Sequence, residues 1–272
     1  MTLAHKTEKF KSLIRQMDSV LVAFSGGVDS TLVLALAHQV LGEKALAVTA
    51  QSASVPNREM QAARQLAKEI GARHCVIKTD EMSNPQYTAN PANRCYHCKT
   101  ELYSNLKKVA QRENLAHILN GINRDDLGDY RPGLDSAREQ GVRSPLVEAN
   151  FNKNEIRALS QEMGLSIWNK PAMACLSSRI PYGQPVTVEK LLHVEQAEDL
   201  LLSMGFEQVR VRHHGDLARI ELSKNEMPRY LDDEGIQKTV EEKLKALGFA
   251  TVILDPEGYR MGSLNAALEI NK

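Results

Sequence analysis

Short apolar runs alternate with helix-like segments along the first half of the chain. Each run has the length of a buried strand, and each is bounded by glycine or polar residues: 20–24, 45–50, 75–77 and 117–121. Strands that alternate with helices predict an α/β fold, in which helices cover both faces of a doubly wound parallel sheet. Ligands of such sheets bind at the carboxyl ends of the strands, so the residues that follow each strand form the candidate site.

The order of elements changes near residue 184. One helical stripe, two short strands, a second helical stripe and a last strand follow one another, which predicts a smaller C-terminal α+β domain. Two prolines and a glycine within residues 180–185 favour a boundary there. We therefore predict one domain over residues 1–183 and a second, for substrate binding or oligomerisation, over residues 184–272.

The composition and charge of the chain argue against several classes of function. The chain of 272 residues is 42% hydrophobic and 25% charged, which is typical of globular proteins. Its 34 basic and 34 acidic residues give zero net charge, which argues against a nucleic-acid partner. The sequence contains neither a membrane-spanning apolar run nor a signal peptide, and four cysteines are too few for a disulfide scaffold. We expect a cytoplasmic protein with no membrane partner.

A glycine-rich hexapeptide directly follows the first predicted strand and opens the first sheet helix: Ser25, Gly26, Gly27, Val28, Asp29 and Ser30. Glycines let the backbone approach a ligand, and the N–H groups of a helix N-terminus suit a phosphate. The Asp29 carboxylate would repel a bare phosphate, so it indicates a bridging Mg²⁺. The alternative is an ordinary turn in which Asp29 or Ser30 caps the helix.

The cysteines form a second candidate site. Cys95 and Cys98 have C-x-x-C spacing, which can supply two ligands to a metal or cluster. Zinc usually needs four ligands and no second C-x-x-C exists, whereas a redox dithiol is another interpretation. Cys175, in a loop rich in small residues, could complete the three thiols of a 4Fe–4S cluster with one open iron, or could be unrelated. Cys75 lies in a strand pattern, which predicts an inert core cysteine.

A basic strand is the third candidate. Arg210, Arg212 and His214 alternate, so they share one face of a strand, and Arg219 and Glu221 share a face of the next. Arginine forms paired hydrogen bonds with carboxylates and phosphates, so this face could bind an anionic substrate. The alternative is a solvated outer strand. Ser178 and Arg179, beside Cys175, are further candidate substrate contacts.

The hexapeptide resembles the pyrophosphate loop of the PP-loop ATPases, the N-type ATP pyrophosphatases, and lacks the lysine of a Walker loop. The resemblance implies that residues 1–183 form a PP-loop ATP pyrophosphatase domain of the adenine nucleotide alpha-hydrolase-like fold. In this class ATP is split to AMP and pyrophosphate while a substrate oxygen is adenylated. Residues 120–126 resemble the segment that closes the nucleotide site. The implied nucleotide contacts are Ser25, Gly26, Gly27, Asp29, Ser30, Gly121 and Asp126, with Asp125 beside them.

Five segments occur in the order found in the LarE family: 25–30, 93–99, 129–133, 171–183 and 209–213. This resemblance, over nearly the whole chain, implies an ATP-dependent sulfur transferase of nickel-pincer nucleotide biosynthesis, which serves lactate racemase. LarE enzymes adenylate a carboxylate of pyridinium-3,5-biscarboxylic acid mononucleotide and convert it to a thiocarboxylate. In one branch a single cysteine sacrifices its sulfur, and in the other three cysteines hold a 4Fe–4S cluster. Cys95, Cys98 and Cys175 match the cluster branch.

The resemblance also implies roles for charged residues. Arg210 and Arg212 would face the substrate as catalytic residues with Asp29 and the three cysteines, and Glu198 and Glu221 match acids near a metal site. A third acid expected near Arg229 is not evident. The implied cofactors are ATP, Mg²⁺ and the cluster. The implied partners are the pyridinium dicarboxylate mononucleotide, a sulfur donor that the sequence leaves open, and further copies of the chain in a homo-oligomer.

Two other functions remain open from the sequence. A tRNA 2-thiolation enzyme also combines a PP-loop, C-x-x-C and a cluster, but zero net charge and the lack of an obvious RNA-binding domain disfavour it. A non-catalytic sensor of adenine nucleotides would bind ATP without releasing pyrophosphate. Such a sensor would not need three placed cysteines.

Overall fold

The computed structural model describes residues 1–128, 132–171 and 174–260. The helices are α1 Leu3–Arg15, α2 Val28–Leu41, α3 Asn57–Ile70, α4 Pro85–Thr88, α5 Arg94–Arg112, α6 Gly133–Glu139, α7 Pro145–Glu148, α8 Lys153–Glu162, α9 Val188–Ser203, α10 Met227–Leu231 and α11 Glu234–Ala246. The strands are β1 Val20–Ala23, β2 Ala45–Gln51, β3 Arg73–Lys78, β4 His117–Leu119, β5 Val209–His214, β6 Leu217–Leu222 and β7 Thr251–Leu254.

Strands β1 to β4 form a parallel sheet in the order β3-β2-β1-β4. The chain moves outward from β1 through β2 to β3 and then returns to the other side of β1 with β4. The switch in direction therefore falls between β1 and β4. Doubly wound sheets bind ligands at such a switch point, outside the carboxyl ends of the strands.

Apolar side chains cover both faces of this sheet, because successive strand residues point to opposite sides. Val20 and Val22 pack with residues of α1, α2, α3 and α8 in one core cluster. Leu21 and Leu46 pack in another cluster with residues of α5 and α6. The predicted α/β fold with a doubly wound parallel sheet is confirmed.

The smaller sheet has the order β5-β6-β7, with β5 and β6 antiparallel and β6 and β7 parallel. One face carries Val209, Val211, Ala218, Ile220 and Leu222, which pack on α9 and α11 in a third core cluster. The opposite face carries Arg210, Arg212, Arg219 and Glu221. The predicted smaller α+β element is therefore present, with a short helix, α10, added between β6 and α11.

The chain divides into two compact units. The first takes in Met1–Glu81 and the described residues from Asn93 to 171, with the parallel sheet. The second takes in Met82–Ala92 and the described residues from Ala174 onward, with the smaller sheet. The domain boundary between residues 183 and 184 stays a prediction. In the part of the chain that the structure describes, no helix has both the length and the apolar character to cross a membrane.

Candidate active site

The loop Ser25–Ser30 connects β1 to α2, as predicted. Gly26 has a φ of 71°, a left-handed conformation that glycine adopts without strain, and a Cβ there would lie 3.1 Å from Ala63 Cα. The N-cap of α2 is Gly27, with no capping side chain. The alternative in which Asp29 or Ser30 caps the helix is therefore wrong. Both lie in the first turn, where backbone N–H groups are available to an anion.

Gly121, which follows β4, lies directly against this loop. A Cβ on Gly121 would lie 2.7 Å from Ser30 N and 3.0 Å from Ser30 Cα. Only glycine fits at this distance from another backbone. The segments after β1 and β4 thus meet at the switch point of the sheet, as the sequence analysis expected of a nucleotide site.

Asp29 is held by two side chains from distant segments. Asn123 Nδ2 donates to Asp29 Oδ1 at 3.2 Å, and Lys153 Nζ donates to Asp29 Oδ2 at 2.5 Å. The side chains of Lys153 and Asp29 keep 29% and 22% of their exposure. The carboxylate of Asp29, the acidic residue of the candidate phosphate loop, is therefore paired with the Lys153 ammonium group, which remains partly accessible to solvent.

Lys153 is fixed by the start of α8. Asn152 caps this helix, and its side chain and that of Glu155 bond reciprocally to each other's backbone N–H groups. The backbone N–H of Lys153 donates to Asp125 Oδ2 at 2.9 Å. The sequence analysis missed Lys153 and Asn123. A lysine directly after a capping asparagine gives no sign that it reaches a loop 124 residues earlier in the chain.

Asp125 and Asp126 lie in a short 3₁₀ turn, Arg124–Gly128. The backbone N–H of Asn123 donates to Asp126 Oδ2 at 3.0 Å, and the backbone N–H of Asp125 donates to Asn123 Oδ1 at 2.9 Å. The carboxylate of Asp126 and the backbone of Asp125 thus both bond to Asn123, the residue that holds Asp29. They shape the turn that presents the Asn123 amide, while the Asp125 side chain remains 49% exposed.

Cys95 and Cys98 lie in the first turns of α5. Residues three apart are neighbours on a helix surface, so the two thiols share a face. Gly133, the described end of the 129–133 segment, packs here, since a Cβ on it would lie 2.9 Å from Lys99 Cγ. Residues 129–131 of that segment lie outside the described residues.

None of the four cysteines, all of which lie in the described ranges, forms a disulfide. Cys95 is exposed, and the other three are half-buried. Cys75 lies on β3, an outer strand of the parallel sheet, where it is half-buried and packs against the core cluster that contains Leu21 and Leu46. Burial raises the pKa of its thiol, with smaller opposing effects from nearby arginines. Within the described ranges, no group of three or more His, Cys, Asp or Glu side chains is placed to hold a metal ion.

The loop after Cys175 is ordered by the fully buried Arg179. Its guanidinium donates to Glu198 at 2.8 and 3.1 Å, and its remaining nitrogen donates to the carbonyls of Ala174 at 2.6 Å and Cys175 at 2.9 Å. The same nitrogen lies 3.0 Å from Ser178 Oγ. Arg179 thus ties the backbone of Cys175 to α9. Residues 172 and 173 of this loop lie outside the described residues.

The polar face of the smaller sheet is buried and paired. Arg212 donates to both oxygens of Glu221, at 2.9 and 2.7 Å, and to the Ser178 carbonyl at 2.8 Å. Arg210 donates to the Val209 carbonyl at 2.7 Å and lies over the Tyr259 ring. Arg210 and Arg212 are only 6% and 7% exposed, so the alternative of a solvated outer strand is wrong.

The two predicted metal-binding acids are on this same face. Glu198 and Glu221 are each 1% exposed, and each accepts a paired hydrogen bond from one arginine, Arg179 or Arg212. The backbone N–H of Val211 also donates to Glu198, at 3.2 Å. In the structure these carboxylates neutralise buried arginines. A metal role for them is not supported by these contacts.

One family model and three related proteins bear on this site. A family model for asparagine synthase matches residues 9–92, which include β1 and the loop Ser25–Ser30. An uncharacterized protein of Synechocystis is 46% identical over 98% of this chain and 99% of its own length. The pyridinium-3,5-bisthiocarboxylic acid mononucleotide synthase of Lactiplantibacillus plantarum is 41% identical over 98% of this chain and 96% of its own. A tRNA-specific 2-thiouridylase of Rickettsia africae is 26% identical over 57% of this chain and 53% of its own.

The sheet, the loop at its switch point and the family match define a PP-loop enzyme that uses ATP. The near full-length similarity to the Lactiplantibacillus synthase goes further. The chain belongs to the LarE family of ATP-dependent sulfurtransferases. The family resemblance seen in the sequence motifs is thereby confirmed.

Proposed function

We propose that this protein adenylates a carboxylate of pyridinium-3,5-biscarboxylic acid mononucleotide with ATP and converts it to a thiocarboxylate, in the biosynthesis of the nickel-pincer nucleotide of lactate racemase. The observation that carries the proposal is the similarity, over nearly the whole of both chains, to a synthase of the bisthiocarboxylic product. The tRNA thiolase matches little more than half of this chain, which favours the small-molecule substrate over tRNA.

The first step uses the site at the switch point. A carboxylate oxygen of the substrate attacks the α-phosphorus of ATP, and pyrophosphate leaves with the bonding electrons. Charge then grows on the leaving pyrophosphate. The N–H groups of the first turn of α2, the hydroxyls of Ser25 and Ser30, and the Lys153 ammonium supply hydrogen bonds and positive charge for it. Gly121 and Asp126 belong to the segment that closes this site.

The carboxylate of Asp29 accepts a hydrogen bond from the Lys153 ammonium group and could also coordinate Mg²⁺. Oxygen ligands are what Mg²⁺ prefers, so Asp29 is the residue that would hold it, and the ion would supply charge neutralisation to the phosphates. The loop Ser25–Ser30 itself contains no cationic residue. Lys153 balances Asp29 in the nucleotide-free protein, and its partly exposed ammonium group can turn to the phosphates when they arrive.

The second step replaces AMP by sulfur. A thiolate or hydrosulfide attacks the adenylated carboxyl carbon, a C–S bond forms, and the C–O bond to AMP breaks. We propose that Cys95, Cys98 and Cys175 act in this step. In one form of this proposal the three thiolates, of which Cys95 is exposed and the other two are half-buried, would hold a 4Fe–4S cluster. In the alternative, attack by the Cys175 thiolate gives a thioester; loss of the Cys175 Cα proton to solvent then breaks its Cβ–S bond, which releases the thiocarboxylate and leaves dehydroalanine. Ser178, Arg179, Arg210 and Arg212 are the proposed substrate contacts on the second unit.

We also propose roles for the two domains, a cellular location and a class of substrate. A domain of residues 1–183 would bind ATP and a domain of residues 184–272 would bind substrate or join copies into a homo-oligomer. Four cysteines that form no disulfide fit the reducing cytoplasm that we propose as the location. The zero net charge fits a small-molecule substrate rather than nucleic acid.

The test is pyrophosphate release from ATP and Mg²⁺ by anaerobically purified protein, with the pyridinium nucleotide or tRNA as acceptor, and mass spectrometry of the acceptor. We expect release, and exchange of oxygen for sulfur, with the nucleotide alone. Asp29→Asn should abolish release without unfolding the protein, whereas Asp135→Asn, on the exposed side of α6, should not change it. Release that depends on tRNA instead would replace this function by tRNA thiolation.

A further inference from the structure

In the loop that carries Cys175, three backbone carbonyls accept hydrogen bonds from a single side chain. Asn90 Nδ2 donates to the carbonyl oxygens of Pro181 at 2.7 Å, Gln184 at 2.9 Å and Ile180 at 3.3 Å. An amide group has two hydrogens, so the longest of these contacts is shared. One asparagine therefore fixes the stretch from Ile180 to Gln184.

Asn90 is itself held firmly. It is fully buried, and its φ of 57° is a left-handed conformation that asparagine tolerates better than most residues. Its backbone carbonyl accepts a hydrogen bond from Gly183 N at 2.9 Å. Both its side chain and its main chain thus bond to the same loop.

The residues just before Asn90 extend the contact. The Thr88 carbonyl accepts from Val186 N at 2.8 Å. The Tyr87 hydroxyl lies 2.5 Å from Ser177 Oγ, and both residues are buried. Residues 87–90, which we call the Asn90 clamp, therefore bond to the loop on both sides of Ile180. The clamp belongs to the same compact unit as the loop, although it precedes it by some ninety residues.

We propose that Asn90 is a positioning residue that sets the Cys175 loop for sulfur transfer. The inference rests on the proposed function, in which the Cys175 thiol acts after adenylation. A group that must meet an activated carbon loses efficiency steeply when it is misplaced, by ~100-fold for a shift of ~1 Å. Adenylation uses the loop Ser25–Ser30 and does not need the clamp.

Two substitutions separate this role from general stability. Asn90→Asp keeps the shape and the tolerance for a left-handed backbone, but sets a carboxylate against three carbonyls. Asn90→Gly keeps the backbone freedom and removes the amide. Asn150→Gly is the matched control, since Asn150 has a φ of 63° and lies in the other unit. We expect both Asn90 variants to lower thiocarboxylate formed per pyrophosphate by ~10-fold or more, with pyrophosphate release within about twofold of wild type.

Hydrogen exchange of the peptide 174–186, measured without substrates, tests the positioning itself. We expect ~10-fold faster exchange there in the Asn90 variants than in wild type or Asn150→Gly, with β1 and α2 unchanged. If Asn90→Asp fails to fold, Asn90→Gly and Tyr87→Phe, which removes the hydroxyl beside Ser177, make the same test. Failure of the wild type to form thiocarboxylate would refute the proposed function alone, because the exchange measurement still reports on the clamp.

Two results would overturn the inference. Unchanged exchange of the loop in folded Asn90 variants would show that the clamp does not set it. Faster exchange with an unchanged ratio of thiocarboxylate to pyrophosphate would show that the loop's order is irrelevant to sulfur transfer.

Discussion

Replacing Lys153 by methionine removes the ammonium group from Asp29 and keeps most of the apolar stem. If this group turns to the phosphates of ATP, the variant should use ATP poorly. Its use of the acceptor should change little, because Lys153 is proposed to act on the nucleotide alone. We therefore expect Lys153→Met to lower the efficiency with which the protein uses ATP and to leave its use of the acceptor nearly unchanged.

The size of the loss follows from the contact. The Lys153 ammonium group donates a charge-assisted hydrogen bond to Asp29 Oδ2, and such bonds, to a carboxylate or to a phosphate, contribute ~1.5–3 kcal/mol. Since the two side chains remain 29% and 22% exposed, solvent screens the charge and the lower end applies. A loss of ~1.5 kcal/mol corresponds to a fall of about tenfold in kcat/KM for ATP.

The assay is steady-state pyrophosphate release over a range of ATP concentrations, with acceptor and Mg²⁺ saturating. Lys153→Arg should recover part of the activity because it keeps the charge. Lys245→Met, which removes an exposed lysine paired with Glu241 at 2.6 Å, should behave as wild type. A kcat/KM for ATP within twofold of wild type in folded Lys153→Met would refute the assignment, as would an equal rise in the KM of the acceptor.

Three further predictions follow from single contacts. Gly121→Ala should reduce pyrophosphate release severely, because its Cβ would lie 2.7 Å from Ser30 N. Gly128→Ala should not reduce it, because Gly128 has open space around it. Equal activities of the two variants would contradict the close approach of Gly121 to Ser30. Cys175→Ala should lose thiocarboxylate formation but keep adenylation, and Cys75→Ala should keep both, as measured by product mass and pyrophosphate. Burial lowers the pKa of His213 from 6.5 to about 4, so the free energy of unfolding should fall by up to about 3 kcal/mol as pH drops through this range. Urea denaturation should show a smaller fall in His213→Phe, and an identical pH profile would contradict this origin.

Much of the fold could be predicted because its signals are local. The runs at β1, β2 and β4 are mainly apolar, as is typical of strands buried on both faces, and each is followed by polar or glycine residues. The glycine-rich sequence of the loop Ser25–Ser30 predicts both a tight turn and the start of a helix. The alternation of Arg210 and Arg212 placed them on one face, which the structure confirms.

The parts that could not be predicted depend on contacts between distant segments. Lys153 meets Asp29, and Asn90 meets the loop at Ile180, only because the sheet order and the helix positions bring them there. A lysine after a helix cap and an asparagine after a short helix have ordinary local roles. Their functional meaning appears only when the residue at the other end of the contact is known.

The buried arginines of the second unit show why burial changes the meaning of a charge pattern. Arg179 and Arg212 each hold a carboxylate by two hydrogen bonds, so the protein has already satisfied much of their charge. Burial, and next to it the charge of Arg179, lowers the pKa of Arg210, so its positive charge is less stable there than in water. An anion beside Arg210 would relieve that cost, whereas one beside Arg212 would have to compete with Glu221. Among the proposed substrate contacts, Arg210 is therefore the one that a phosphate or carboxylate would stabilise most, whereas Arg179 and Arg212 order the loop that carries Cys175.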